Sequence, residues 1–387
     1  MAIVYSYSAP TITVTGGDAT TWANFAGMYA ADVAGGWGVV TEVVASSAGV
    51  CGIYKIAANV RFGDGSTSTY FASELEAVYF NTGFYPYMAS NATVRIGALA
   101  ATSNIPHRQS WWRVNSSAAW IFMTTGLTNA TFLLYGSNIH SAFNFWVRTG
   151  SVTMKNAQIS FPLADTAGMT FDSGLAALSL TDVRFCSAYA VYMYKTPDVA
   201  INITNNNAAF AIRSAVSGGA ITVTGFDTVV AGDTWYARQA AANAQLKLVN
   251  PTQNGVAYNI DPAKIYNDIA TSEVWEQRTV DIHVATLAGA NLGTATVTMK
   301  DVGGNTIFSV DTDANGNIAQ QTVTYKKWVG TAETETAYTP FSIVISKAGY
   351  RTLTYENIAM TDKLVWHLEM PDGGAQIIGS GIIRRVA

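Results

Sequence analysis

The sequence contains little charge for its size. Only 12% of its 387 residues are Asp, Glu, Lys or Arg, which is about half of the ~25% that is usual in globular proteins. The formal net charge is −4, so the chain has no basic field with which to hold phosphates, and this argues against nucleic acid as its main partner. Aromatic residues are not scarce, since 16 Phe, 19 Tyr and 10 Trp offer far more buriable surface than a disordered chain contains. The composition therefore predicts a folded protein with a surface of small polar residues.

Signals for cysteine chemistry, secretion and membrane insertion are also missing. Cys51 and Cys186 form no CxxC pair, so we expect two buried thiols rather than a disulfide framework or a zinc site. The first residues lack the basic segment and the apolar core of a secretory signal, and no stretch is long enough to span a bilayer. We expect synthesis in the cytoplasm without a signal peptide, and no membrane partner.

Short β-rich runs recur at a regular interval in the first two thirds of the chain. The first and the last of six such runs are 114 residues apart over five steps, or 22.8 residues per step. A period in the twenties is typical of stacked repeats, and three strands of ~4–5 residues with their turns fill one coil of that length. We therefore predict a right-handed parallel β-helix over residues 1–260. The runs are 132–134, 152–154, 178–180, 201–203, 221–223 and 246–248.

A short helix is expected at each end of this region. At its start, residues 20–33 carry four apolar residues at helical spacing, and Asp18 or Thr20 is available as the N-cap. This helix would cover the first coil, whose apolar interior would otherwise meet water. At the other end, Asp261 can cap and Pro262 can begin a linker helix over 261–278. The four apolar residues of the first helix are Trp22, Phe25, Tyr29 and Val33.

From Thr279 onward, apolar and polar residues alternate in several runs, which predicts an antiparallel β-sandwich over 279–370. Within it, residues 292–301, 304–305, 312–318 and 346–350 resemble the carboxypeptidase-regulatory-like (transthyretin-like) β-sandwich, with Thr294 in the place of that family's usual proline. This resemblance covers about a quarter of the chain and implies a non-catalytic module joined to another domain. The repeats upstream resemble, in pattern, the parallel β-helices of bacteriophage tail spikes.

The final segment, 371–387, follows the last predicted strand of the sandwich. It contains four isoleucines in seven positions. Burial of one such side chain stabilises a protein by ~1.5–3 kcal/mol, and this free energy is not gained if the side chain is left in water. Because the strands of the sandwich are already counted, we predict that this C-terminal interaction tail adds a strand to a neighbouring subunit or docks on another protein. The isoleucines are Ile377, Ile378, Ile382 and Ile383.

Residues that could carry catalysis are few. The chain lacks the common nucleophile, phosphate-binding and zinc-protease motifs and has four histidines, so we expect no enzyme activity and no cofactor. Asp182, Asp198 and Asp227 fall at or beside turns of successive coils. Stacked on one corner, they would offer the paired carboxylates that glycan cleavage needs. We favour the interpretation that they accept hydrogen bonds from backbone N–H groups at turns, which explains them better.

A partial calcium loop is present in the predicted sandwich. Asp311, Asp313 and Asn315 supply alternate oxygens before a glycine, as a hard cation requires. The acidic closing ligand is missing, because Gln321 and Thr322 stand in its place. A hairpin turn explains the same residues, so we expect no metal.

Four tryptophans cluster within 36 positions of the repeat region. Exposed aromatic side chains form sugar-binding platforms, whereas a subunit interface buries them, and we favour the interface. The residues are Trp111, Trp112, Trp120 and Trp146.

Taken together, these features predict a structural component of a bacteriophage virion, in its tail, spike, fibre or capsid surface, that serves assembly or host attachment. The expected partners are copies of itself, with a trimer favoured, other virion proteins and, as a further option, a host surface glycan. The first alternative is a tail spike that binds or degrades polysaccharide with the turn aspartates. The second is a bacterial surface adhesin, against which the missing signal argues.

Overall fold

The computed structural model describes residues 1–46, 51–98, 110–115, 119–161, 168–186, 191–196, 203–205, 210–214, 216–224, 227–228, 235–239, 241–253, 255–373 and 383–385. These residues form an all-β structure, as predicted, with one α-helix among them. Within the same ranges, no helix is long and apolar enough to cross a membrane.

Parallel strands dominate the first two thirds of the chain. The largest sheet has eleven strands, of which nine run parallel from Gly52 to Gln253, with one antiparallel strand added at each end. Those nine strands begin 200 residues apart over eight steps, or 25 residues per step, close to the predicted interval. Its strands are Val40–Val44, Gly52–Ile56, Glu76–Phe80, Trp111–Val114, Asn138–Ser141, Gln158–Ser160, Val183–Cys186, Ile203–Asn205, Asp227–Thr228, Thr252–Gln253 and Val256–Ala257.

A five-stranded sheet is parallel throughout and contains three of the predicted runs. Phe132, Val152 and Leu178 are successive Cα partners, so these runs stack in register. Their side chains are fully buried, because alternate residues of each strand point into the same apolar interior. The strands are Thr69–Ser73, Ala92–Ile96, Thr131–Tyr135, Gly150–Lys155 and Leu175–Thr181.

Two further sheets flank this interior. One, the groove sheet, has seven parallel strands, and an N-terminal sheet of four strands lies beside its first strand. The groove sheet consists of Trp120–Met123, Phe145–Val147, Met169–Phe171, Val191–Met193, Phe210–Ser214, Trp235–Gln239 and Ile265–Asn267. The N-terminal sheet consists of Val4–Ser8, Thr11–Thr15, Asn59–Phe62 and Pro86–Met88.

The corner that follows each of the last four strands of the five-stranded sheet has a left-handed backbone. Gly97, Gly136, Asn156 and Asp182 follow successive strands, and their φ angles are 95°, 55°, 51° and 49°. Gly, Asn and Asp are the residues that tolerate this conformation at lowest cost. The residue types at these four positions therefore let the chain turn at the same point after each of these strands.

The helix α1 (Phe25–Gly35) begins later than predicted. Its N-cap is Asn24, whose side chain accepts from Gly27 N at 2.8 Å, whereas Asp18 accepts the amides of a separate turn. The buried face is consequently Phe25, Met28 and Asp32, while Val33 is 62% exposed. The Phe25 ring lies against aromatic rings of the first parallel strands. The helix therefore covers apolar side chains at the start of the stacked parallel strands.

The predicted linker helix over 261–278 is wrong. Asp261 does cap a turn that starts with Pro262, but this turn is a single 3-10 turn, Pro262–Lys264. The chain then forms the short strand Ile265–Asn267 and, after it, one 14-residue strand, Glu273–Thr286. Its side chains are buried at every second position, which suits a strand rather than a helix.

This long strand joins the two halves of the protein. Its first part pairs parallel with Gln245–Val249 and its second part pairs parallel with Leu364–Met370. The second of these pairings also corrects the expectation of a purely antiparallel C-terminal region. The junction sheet consists of Ala220–Thr224, Gln245–Val249, Glu273–Thr286, Gln321–Val329, Thr334–Ala337, Leu364–Met370 and Ile383–Arg385. A second C-terminal sheet contains Thr296–Lys300, Thr306–Asp311, Phe341–Ser346 and Leu353–Ile358.

The molecule has two apolar cores that meet along this strand. Val274 belongs to the first core and Val280 to the second. Between them, the fully buried side chains of Glu276 and Arg278 form an ion pair. Arg278 also donates to Tyr258 O at 3.0 Å and to Asn259 Oδ1 at 2.9 Å, so the boundary between the cores is a hydrogen-bonded polar layer.

Neither cysteine is a buried thiol, contrary to our expectation. Cys51 is exposed and Cys186 is half-buried, and neither is in a disulfide. Cys51 lies just before the strand Gly52–Ile56, and Cys186 is the last residue of Val183–Cys186. Each cysteine stands next to a buried residue, Gly52 or Phe185, so the alternation of the strand places both on the outward side.

Candidate functional site

The outer face of the groove sheet carries a row of half-exposed side chains. In three successive strands the first and third residues are buried, and the middle residues Trp146, Thr170 and Tyr192 point outward. These three are Cα partners across the parallel ladder. Since neighbouring strands are ~4.8 Å apart, their side chains form a row at that spacing.

An open groove of about 300 Å³ lies over this row. Tyr194, 37% exposed, adds a third aromatic ring. Asn144 and Asp172 border the groove and are held by local bonds: Asn144 Oδ1 accepts from Gly168 N at 2.7 Å, and Asp172 Oδ1 accepts from Ser173 Oγ at 3.1 Å. The lining residues are Asn144, Trp146, Arg148, Thr170, Asp172, Tyr192 and Tyr194.

Arg148 contributes the positive charge of the groove. Its guanidinium carbon lies 4.3 Å from the centre of the Trp146 ring, in a cation–π contact. Its Nε is buried and has no hydrogen-bond partner. The groove therefore presents a desolvated donor beside an aromatic surface.

A second groove of about 230 Å³ continues the same face toward the N-terminus. Ile121, in its lining, is the Cα partner of Trp146. The strand before it, Pro86–Met88, is tied to the groove sheet because Trp120 Nε1 donates to Pro86 O at 2.6 Å. The lining residues are Asn59, Tyr85, Tyr87, Met88, Ala119, Ile121 and Thr124.

This arrangement suits binding better than bond cleavage. Half-exposed aromatic rings with amide, carboxylate and guanidinium groups between them can stack on the apolar faces of sugar rings and hydrogen-bond to their hydroxyl groups. The two grooves together form an elongated surface rather than an enclosed pocket. In the described ranges, no three His, Cys, Asp or Glu side chains come together in a way that would hold a metal ion.

The four tryptophans do not form one platform. Trp112 and Trp120 are buried in the first core, with exposures of 0% and 1%, and the Trp120 ring stacks on Phe145 at 4.3 Å. Trp111 and Trp146 are both half-exposed, but they lie on different sheets. Of the predicted ligand-binding residues, Trp146 alone lines a groove described above.

The turn aspartates are not stacked on one corner. Asp182 occupies a left-handed corner, whereas Asp227 lies within a strand. Through Thr204, Asp227 is in register with Arg184, two residues beyond that corner. Asp198 lies outside the described residues. The alignment that a carboxylate pair of Asp182 and Asp227 would need is therefore absent from the backbone register.

The partial calcium loop is a turn held by its own side chains. Asp313 Oδ1 accepts the amides of Asn315 and Asn317, each at 2.9 Å. Asp311 Oδ1 instead accepts from Thr296 Oγ1 of the neighbouring strand at 2.7 Å. These bonds match the hairpin interpretation, in which Asp side chains bind backbone amides.

Part of the C-terminal tail has a partner in its own chain. The strand Ile383–Arg385 pairs antiparallel with Leu364–Met370, and Ile383 is the Cα partner of Leu368. The expectation that the sandwich has no place for the tail is therefore wrong for Ile383, since the edge of the junction sheet accepts another strand. Ile377, Ile378 and Ile382 lie outside the described residues.

Sequence reasoning missed most of the groove. Tyr192, Tyr194 and Arg148 were not singled out, because none belongs to a recognisable motif. A usable signal was the repeat interval itself: Trp146, Thr170 and Tyr192 are 24 and 22 residues apart. Residues separated by one repeat lie side by side in a parallel stack, so aromatic residues at that interval indicate a shared face.

Comparisons with known proteins provide no family. No protein-family model matches the sequence, and no curated protein matches it. Among solved structures, the Bacillus anthracis TIE protein is similar over 26% of this chain and 19% of its own, with 16% identity and a TM-score of 0.18. This chain thus spans about a fifth of that protein's length, and the likeness is too small to support an argument.

Proposed function

We propose that this protein is a structural, non-catalytic component of a bacteriophage virion that attaches to its host by binding a surface glycan. The main observation in support of this proposal is the aromatic groove over Trp146, Tyr192 and Tyr194, on the outer face of a long stack of parallel strands. A stiff stack that presents a row of sugar-sized subsites suits a tail, spike, fibre or capsid-surface protein.

The architecture proposed with this function is a right-handed parallel β-helix with an N-terminal helical cap. It is supported by nine parallel strands that stack about once every 25 residues and by the left-handed corners that recur level after level. The C-terminal region is proposed to be a β-sandwich like the carboxypeptidase-regulatory-like family. Its two sheets contribute to one apolar core, which supports a stable non-catalytic module.

The proposed partners are further copies of the chain, in a trimer, and other virion proteins. A trimer of stacks buries one long side of each subunit and leaves another side open to a glycan. The alternative, glycan cleavage by Asp182, Asp198 and Asp227, is less well supported because Asp182 serves a corner and Asp227 is out of register with it. The alternative of a bacterial surface adhesin uses the same groove and differs in where the protein is found.

Binding is tested with purified protein on an array of bacterial surface polysaccharides. Trp146→Ala removes an aromatic wall of the groove and should weaken binding about tenfold or more. Trp111→Ala is the matched control, since Trp111 is also half-exposed but lies on the eleven-stranded sheet, and it should bind as the unmodified protein does. Equal loss in both variants, or binding to no polysaccharide, would contradict the proposal. Immunogold labelling of phage particles and of bacterial surfaces separates a virion protein from an adhesin.

A further inference from the structure

The positive charge of the groove is not part of an ion pair among the described residues, although Asp172 follows the neighbouring strand at the position that corresponds to Arg148. Arg148 forms no ion pair with any residue of the described ranges, and its Nε is buried without a hydrogen-bond partner. Asp172, the acidic residue of the same groove, instead receives bonds from Ser173 Oγ at 3.1 Å and from Gly174 N at 3.4 Å. A buried donor without an acceptor costs free energy, which a ligand acceptor would recover.

The chemistry of the guanidinium group indicates what that acceptor is. Its planar array of N–H groups matches the two oxygens of a carboxylate or a phosphate, and such charge-assisted bonds are stronger than bonds to neutral hydroxyl groups. The Trp146 ring beneath the guanidinium holds it in place, so little side-chain freedom is lost on binding. A ligand with a negative charge next to a sugar ring would use both features.

The register positions that continue the row beyond Trp146, Thr170 and Tyr192 contain no acidic residue. Tyr192, Arg213, Arg238 and Tyr266 are successive Cα partners on the groove sheet, and in the N-terminal sheet Arg61 is the partner of Tyr87. In a chain with a net charge of −4, these register positions carry three arginines and no carboxylate. At the level of backbone register, this excess of arginine over carboxylate is the residue composition that favours binding of an anionic polymer.

We infer that the groove binds an acidic glycan, with the charged sugar at Arg148 and the polymer extended along the row of the groove sheet. This inference rests on the proposed function and adds the class of ligand. The charge comes from a sugar carboxylate or from a phosphodiester, and both fit the guanidinium group. From Tyr87 to Tyr192 the row spans four strand spacings, or ~19 Å, which is long enough for several sugars.

The test uses capsular polysaccharides that contain uronic acids, each immobilised as the native polymer and in carboxyl-reduced form, with teichoic acid as the phosphate-bearing probe. Dissociation constants are measured by biolayer interferometry for the unmodified protein and for Arg148→Gln. Loss of charged bonds should weaken binding of an acidic probe about tenfold or more, and carboxyl reduction of a uronate probe should have the same effect. Arg148→Lys, which keeps the charge but loses the planar array, should bind with intermediate affinity.

Arg113→Gln is the control, because Arg113 is an exposed arginine of the eleven-stranded sheet and its removal should leave binding unchanged. If Arg148→Gln loses binding to uronate polymers, the charged group of the ligand is a carboxylate. If it loses binding to teichoic acid, the charged group is a phosphodiester. If the protein binds neutral polymers as tightly as acidic ones, or if Arg148→Gln binds normally while Trp146→Ala does not, the inference is wrong and the proposed function stands. If no glycan binds the unmodified protein, the proposed function itself fails. Thermal melts of each variant show whether it remains folded.

Discussion

A buried carboxyl group beneath the N-terminal helix makes the stability of this protein depend on pH. Glu76 is 3% exposed, and one of its carboxylate oxygens has no hydrogen-bond partner. Burial raises the pKa of Glu76 from 4.5 to about 8, although bonds with Ser73 and the Phe25 amide oppose the shift. The folded protein therefore keeps this group protonated over a pH range in which the unfolded chain has lost the proton.

The sign and the size of the effect follow from this difference. Because the folded-state pKa is the higher one, the stability contribution is fully present below pH 4.5, declines as the pH rises and is lost once the pH passes about 8. A shift of about 3.5 pKa units corresponds to a decrease in unfolding free energy of about 5 kcal/mol. Glu76→Gln retains the shape of the protonated side chain and should remove this part of the pH dependence.

The measurement is urea unfolding at pH 5, 7 and 9. We expect the variant and the unmodified protein to be similar at pH 5, and the variant to be more stable by several kcal/mol at pH 9. Glu356→Gln is the control, since Glu356 is an exposed residue of Leu353–Ile358, and it should follow the unmodified protein at every pH. Parallel pH profiles for Glu76→Gln and the unmodified protein would refute the reasoning.

Three further predictions concern the corner, the junction and the tail. Asp182→Asn should leave the unfolding free energy unchanged, whereas Asp182→Val should lower it by about 1–2 kcal/mol, because φ is 49° there; equal effects in urea titrations would contradict the corner role. Arg278→Met should lower the unfolding free energy by about 3–5 kcal/mol, since it leaves Glu276 buried and unpaired, and adding Glu276→Gln should restore most of that stability. A double variant no more stable than the single variant would argue against the ion pair. Deleting 381–387 should lower the melting temperature by about 2–4 °C for each kcal/mol lost without changing the mass in light scattering, and a smaller oligomer would reinstate the tail as an intersubunit strand.

The repeat region could be predicted because its signals are local. Alternation within the runs 132–134, 152–154 and 178–180 gives strands, and their spacing of 20 and 26 residues, about one repeat each, places them side by side, as observed. Asp182, a residue type that accepts a left-handed backbone, was predicted at a turn, and its φ angle there is 49°. Each of these features depends on neighbours in sequence, so no knowledge of distant contacts was needed.

The junction could not be predicted in the same way. Asp261 and Pro262 are a sound helix start, but the segment that follows pairs with strands far away in sequence, Gln245–Val249 and Leu364–Met370. Those long-range pairings override local helix signals. The buried charges of Glu276 and Arg278 also made the strand harder to predict, because charged residues at alternate positions are typical of a solvent-exposed face.

The groove was missed because it has no sequence motif. Its residues come from Asn144, from three strands and from the positions just after them, and each is unremarkable by itself. Aromatic residues near Trp146 in sequence proved misleading, since Trp112 and Trp120 are core residues. Trp146 and Tyr192 come together because their strands stack in parallel. The sequence reveals this proximity only when the repeat interval is applied to individual residues.

The most direct test of the account is a crystal structure of the protein with a bound oligosaccharide, cut from the polysaccharide that it binds most tightly. We expect the sugars along the outer face of the groove sheet, with one ring against Trp146 and Tyr192 and an acidic group within hydrogen-bond distance of Arg148. An oligosaccharide bound on another face, such as that of Trp111, or between the C-terminal sheets, would contradict the assignment of the groove as the functional site.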